Sequence, residues 1–294
     1  MEKSKLATIC TIIVILIYGL LAQTYFVTLG NTYTYIINPL FFIVLAITLK
    51  IAIMPQYKTD KYKTNIIQYV LIAILSYSLV YLLSGFLVGF GKNPYANSIN
   101  GLIYNLYSIG LVVFCKEYIR YKLINNIFKK DRQKIYILLI IVFTILDLNI
   151  GYFISNISPY FCFKYVFYVI LPSIFKNTLF TYLAQYTDYT PAVIYEMIYN
   201  IILWMAPVLP KNPWVLDAIL NIMFPFVLLL CCKYQINKKE RFHLNALRKS
   251  IDPSGIIPFG IALVLIIWFA LGIFPIKPIA VATGSMIPYL RVGD

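Results

Sequence analysis

Few residues of this 294-residue chain can carry chemistry, because 61% of it is apolar and only 12% charged. They fall in two places. Near the C-terminus Thr283, Gly284 and Ser285 precede Met286, Ile287 and Pro288, and Gly293 and Asp294 follow. Gly284 allows a tight approach, Ser285 offers the one conspicuous hydroxyl nucleophile, Pro288 stiffens the exit, and Gly293 with Asp294 reads as a turn. The bland alternative is an external loop with a serine among turn residues. The second place is a set of charges inside apolar runs: Asp147, Lys176, Glu196 and Asp217. Each costs ~3 kcal/mol on insertion scales, so such groups face a bundle interior or an aqueous path. An ion or solute pathway is one reading. Structural pairs such as Lys176 with Glu196 or Asp217, or charges near span ends in water, are the other. Glu117 and Arg120, three apart at the inner end of the fourth run, can pair on one helix face and carry no assigned function.

These groups need elements to hold them, and the apolar runs supply the elements. Stretches long enough to span a bilayer lie at about 6–29, 34–54, 66–90, 99–119, 135–154, 165–184, 191–209, 213–232 and 255–274, each near the ~20 residues that a spanning helix needs. Pro172 and Lys176 interrupt the sixth. The first run is longer than a signal-peptide core and lacks a small-x-small site, so it is expected to be retained. The fold class is therefore an all-α polytopic membrane protein with about nine transmembrane helices. Five scattered cysteines, with no CxxC pair and no metal-ligand spacing, read as small hydrophobes. No metal, organic cofactor or internal repeat is indicated.

The net charge of +14 is better explained by topology than by a nucleic-acid partner. Nine alternating spans put 19 basic residues on one side, Lys116 and Arg120 among them, and 5 on the other, with Lys176 inside a span. The positive-inside rule then makes the N-terminus cytoplasmic and the residues after Phe274 extracytoplasmic, in a multi-pass cell-membrane protein. The expected organisation is an eight-helix membrane domain at 1–232, a basic cytoplasmic loop at 233–254, a final transmembrane helix at 255–276 and the start of an external domain at 277–294. The basic loop can lie on anionic membrane lipids, although a plain topogenic loop is the favoured account. Many of the 26 tyrosines fall near span ends, where an amphipathic ring suits the interface.

The external tail bears a family resemblance. Thr283, Gly284, Ser285, Met286, Ile287 and Pro288, with Leu290, Gly293 and Asp294, resemble the nucleophile box of type I signal peptidases; Tyr289 replaces a usual small polar residue. The match covers about a dozen residues and leaves the first eight helices unaddressed. In that family the box stands just outside a transmembrane helix, on the side that exported proteins reach, and Ile279 to Ala282 suit the first strand of a truncated extracytoplasmic β domain.

The resemblance implies that Ser285 attacks the carbonyl at the cleavage site of exported preproteins. Thr283 would help the Ser285 backbone N–H hold the oxyanion, a role worth ~3 kcal/mol per donor, and Met286 would pack beside the base. In the family that base is a Lys or a His from a box tens of residues downstream, whereas this sequence stops at Asp294. His243 falls in a cytoplasmic loop, and Lys277 reads as an interfacial lysine. The chain is thus expected to be truncated, or a remnant, and inactive alone. The reading from another class is a transporter or membrane-embedded binding protein with an inert tail motif; oligomeric state is open in both.

Overall fold

The computed structural model describes residues 2–24, 29–53, 63–93, 99–126, 132–206 and 208–244. Helix α1 spans Glu2–Thr24. A π-helical segment, Tyr33–Ile37, runs into α2 (Asn38–Ala52), and α3 (Lys63–Val88) ends at strand β1 (Phe90–Lys92). Helix α4 (Ile99–Asn105) passes through a second π segment, Leu106–Gly110, into α5 (Leu111–Asn125). Then come α6 (Arg132–Asp147), α7 (Ile150–Ser155) and α8 (Pro159–Tyr165), which joins α9 (Leu171–Tyr186) through a third π segment, Val166–Ile170. Helix α10 (Thr190–Met205), strand β2 (Val208–Pro210) and α11 (Trp214–Leu244) complete the order.

Where the apolar side chains lie tells which solvent the fold is built for. Along α1, Ile9, Ile13, Ile17 and Leu20 recur every three or four residues and are about half exposed, while Ile12 and Ile15 on the other face are buried. Water penalises such a stripe, whereas lipid tails, as apolar as leucine itself, accept it. Leu40, Val44, Ile47 and Ile51 on α2 do the same. Among the described residues five helical rods are long and apolar enough to cross a membrane: Tyr33–Ala52, Lys63–Val88, Asn100–Asn125, Pro159–Tyr186 and Trp214–Asn237. Ala7–Gln23 is a shorter apolar helix, and α6 and α10, with 16 residues each, reach about 24 Å.

Each of the first eight apolar runs corresponds to helix, with altered limits. The sixth run is not interrupted. Its rod is continuous from Pro159 to Tyr186, because Pro172 sits in the first turn of α9, directly after the wider π turn, where its missing N–H and its ring are tolerated. The fifth run breaks at Leu148 and Asn149, where the Asn149 side chain accepts from the Tyr152 N–H and starts a new helix. The stretch expected to be a cytoplasmic loop from residue 233 instead continues α11 to Leu244. Residues 233–244 contain no Gly or Pro and are rich in Lys, Glu and Arg, all good helix formers. The ninth run, 255–274, and the expected strand at 279–282 lie outside the described residues.

Two apolar cores form, one on each flank of the bundle. Ile15, Leu49, Ile119, Leu139 and Phe143 join α1, α2, α5 and α6. Ile66, Ile74, Leu179, Phe180, Leu228 and Cys232 join α3, α9 and α11, with Ala192 and Tyr195 of α10. Helix α9 packs on α5, α6 and α11 and so bridges the two cores. A short antiparallel pair, Phe90 opposite Pro210 and Lys92 opposite Val208, ties the end of α3 to the end of α10. Gly89, at φ +92°, turns the chain from α3 into that strand.

Candidate functional site

Charges meet where the two cores meet. Helix α5 carries Lys116, Glu117 and Arg120, α6 ends on Asp147, α9 carries Lys176 and Asn177, and α10 carries Glu196. The Lys116 ammonium lies 2.5 Å from one oxygen of Asp147. The other oxygen lies 3.1 Å from Lys176 Nζ and accepts from Asn177 Nδ2 at 3.0 Å. Lys176 continues to Glu196 Oε1 at 3.3 Å. The result is a ladder of alternating sign, Lys116, Asp147, Lys176, Glu196, with one rung on each of four helices.

Arg120 lies beneath the ladder, fully buried. It donates to Asn177 Oδ1 at 2.7 Å and to the Asn177 carbonyl at 3.3 Å, and its guanidinium covers the Phe143 ring at 4.1 Å. That stacking suits the planar, weakly hydrated cation. Glu117, 1% exposed, is 3.2 Å from Arg120 Nη2, yet neither of its oxygens has a hydrogen bond. Asn177 is the joint of the assembly: one amide holds Arg120, Asp147 and, at 3.4 Å, Thr144.

Among the described residues two cavities touch the ladder. One, about 230 Å³, lies among α1, α2, α5 and α6 and is lined by Lys116, Gln23, Tyr33, Asn38 and Asn149. Gln23 donates from Nε2 to the Ile145 carbonyl, while its Oε1 is buried without a partner. The other, about 290 Å³, lies among α9, α10 and α11 and is lined by Lys176, Glu196, Tyr199, Asn200, Asn221 and Pro225.

The expected pairing of Lys176 with Glu196 is present. Pairing with Asp217 is not: Asp217 stands in the first turn of α11 and accepts from Asn212 Nδ2 at 2.9 Å, a position where the helix dipole favours a carboxylate. Asp147, read from sequence only as an intramembrane charge, is the centre of the ladder. Lys116 and Arg120 were assigned to the basic cytoplasmic side and belong to the interior instead, because α5 continues to Asn125 beyond the expected end of the fourth run. Ile119, Leu123 and Ile124, all fully buried, repeat at helical spacing past Lys116 and are the signal that could have shown it. Asn177 left no sequence signal. The tail residues Thr283, Gly284, Ser285, Met286, Pro288, Gly293 and Asp294 lie outside the described residues. Among the described residues no three His, Cys, Asp or Glu side chains converge as a metal site, and Cys115 and Cys232 are buried thiols.

No family model matches the sequence, and neither a curated protein nor a solved structure matches it. Fold and site define a class by themselves: over the described residues, a mostly helical protein with apolar, membrane-compatible outer faces and a charged seam through its middle.

Proposed function

We propose that the chain is a membrane-bound serine endopeptidase of the signal-peptidase type, acting on exported preproteins. The observation that carries this reading is the run Thr283-Gly284-Ser285-Met286-Ile287-Pro288 with Gly293-Asp294, placed directly after the apolar stretch at 255–274. Ser285 attacks the scissile carbonyl, Thr283 and the Ser285 amide stabilise the oxyanion, and a Lys or His base takes the hydroxyl proton. The reading takes nine spans with a cytoplasmic N-terminus. Eight antiparallel rods would return the end of α11 to the side of the start of α1, so a ninth span delivers Ser285 outside. Removing Lys116 and Arg120 from the topological tally leaves the basic bias on the cytoplasmic side intact.

The test is preprotein cleavage by membranes that contain the gene product. Ser285→Ala is expected to reduce cleavage by about 10⁴-fold or more, as for members of comparable catalytic units. Retained cleavage removes Ser285 from the mechanism. Residues 1–294 expressed alone are expected not to cleave, and full activity would promote Lys277 to general base. A Cys at position 243 that is labelled only from outside intact cells overturns the topology.

A second reading, a membrane-embedded binding or transport protein, is favoured by a specific observation: the four-rung ladder with a cavity at each end. Side chains this costly in hydrocarbon mark sites as well as scaffolds. Loss of ligand binding on neutralising the ladder supports it. Its test follows.

A further inference from the structure

We infer that the cavity among α9, α10 and α11 binds a small zwitterion, a molecule with one ammonium and one carboxylate in the manner of an amino acid. The inference rests on the second reading above and gives it a ligand class. Size comes first. At about 290 Å³ the cavity stands at the lower end of ordinary ligand sites, which start near ~300 Å³, so it suits one amino-acid-sized molecule.

Charge comes second. The lining holds one cation, Lys176, and one anion, Glu196, and these are the two rungs with the most exposed side chains, 29% and 15%. A ligand of single charge would leave a net charge in a low-dielectric interior, at high cost. A zwitterion brings none. The ladder is also weakest here. Lys176 and Glu196 are 3.3 Å apart, longer than the ~2.7–2.9 Å of a strong charge-assisted bond, whereas Lys176 keeps Asp147 at 3.1 Å on its other side. When a ligand ammonium takes Glu196, Lys176 therefore stays neutralised and turns its freed N–H toward the ligand carboxylate.

The neutral groups of the cavity complete both ends. The Asn221 side-chain oxygen accepts from Tyr77 OH at 2.8 Å, so its two N–H donors are left for a carboxylate. Four residues further along α11, Pro225 lies inside the helix and supplies no amide for the Asn221 carbonyl. Pro172, Tyr195 and Pro225 add apolar wall for a short aliphatic or aromatic side chain.

The experiment is equilibrium binding of radiolabelled glycine, alanine, leucine and phenylalanine to the purified whole chain in lipid nanodiscs, with acetate and methylammonium as single-charge competitors. At least one zwitterion is expected to bind, and each half-ligand to compete at least about tenfold more weakly, a difference of ~1.4 kcal/mol. The double variant Lys176→Gln/Glu196→Gln should lose binding by about tenfold or more. Asn221→Leu, which leaves the ladder whole, should weaken binding too and decides the matter if the double variant does not fold. Asp217→Asn, outside the cavity, should bind as wild type. Binding of acetate or methylammonium in place of the zwitterions overturns the ligand class and leaves the second reading standing. Binding of none of the six probes, or zwitterion binding that survives both cavity variants, overturns the inference at this cavity.

Discussion

The two cavities are close in size and share one ladder, yet they present opposite problems to a ligand. In the cavity beside α1 and α2 the only charge among the described residues is Lys116, and that ammonium is already held at 2.5 Å by Asp147. The other polar groups there are amides and phenols, several spent on each other, as Tyr18 OH is on Asn38 Oδ1. In the cavity beside α10 and α11 both signs face the space, and their mutual contact is the loosest of the ladder. The difference teaches that one neutral chain of charges can have a structural end and a receptive end. What separates them is how tightly each rung is held and whether both signs reach the space.

That comparison can be broken or sharpened by substitution. The largest effect is expected at the shared rung. Asp147→Ala leaves Lys116 and Lys176 without their common carboxylate, and removing one partner of a buried pair costs about 3–5 kcal/mol. Measured by denaturant titration in one detergent, a loss below about 1 kcal/mol, the level of exposed pairs, would mean that the ladder is hydrated and both ends are alike. Beneath the ladder, Arg120→Met should cost a comparable about 3–5 kcal/mol by stranding Glu117. Adding Glu117→Leu should return most of it, because an apolar replacement of both partners is often neutral or better; no recovery would place the role of Arg120 in its bonds to Asn177 instead.

Smaller effects belong to the groups outside the ladder. Gln23→Leu removes one bond to a carbonyl that Leu148 N also reaches and deletes an oxygen that has no partner. The net change in thermal stability should stay within about 1 kcal/mol. Asp217→Asn should cost about 0.3–1 kcal/mol, the scale of a carboxylate at a helix start, and a larger loss would join Asp217 to the interior set after all.

Much of the fold was legible because a bilayer demands it. Apolar runs of spanning length cannot be hidden, and each of the first eight became helix. Their ends were less legible. A run ends in sequence where charge begins, but α5 carries Lys116, Glu117 and Arg120 inside its length, since Asp147 of α6 pairs with Lys116 and Arg120 pairs with Glu117 on α5 itself while bonding Asn177 of α9. No local pattern announces Asp147 or Asn177. Glu196 was found for Lys176 because both interrupt apolar stretches, whereas Asp147 joined the ladder through the break at Leu148, and Asn177 through tertiary placement alone. The nucleophile box is the converse case: contiguous and specific, it is readable without a structure, and it owes nothing to the arrangement of the bundle.

The central claim about the interior is that its charges act as one linked unit, and its most direct test is the coupling between Lys176 and Glu196. Unfolding free energies of Lys176→Gln, Glu196→Gln and the double variant, measured in the same detergent, give that coupling from a closed cycle. Linked rungs predict a double variant more stable than the sum of the single losses allows, by about 0.5–3 kcal/mol. Losses that add within about 0.3–0.5 kcal/mol, the scatter of independent sites, would contradict the ladder.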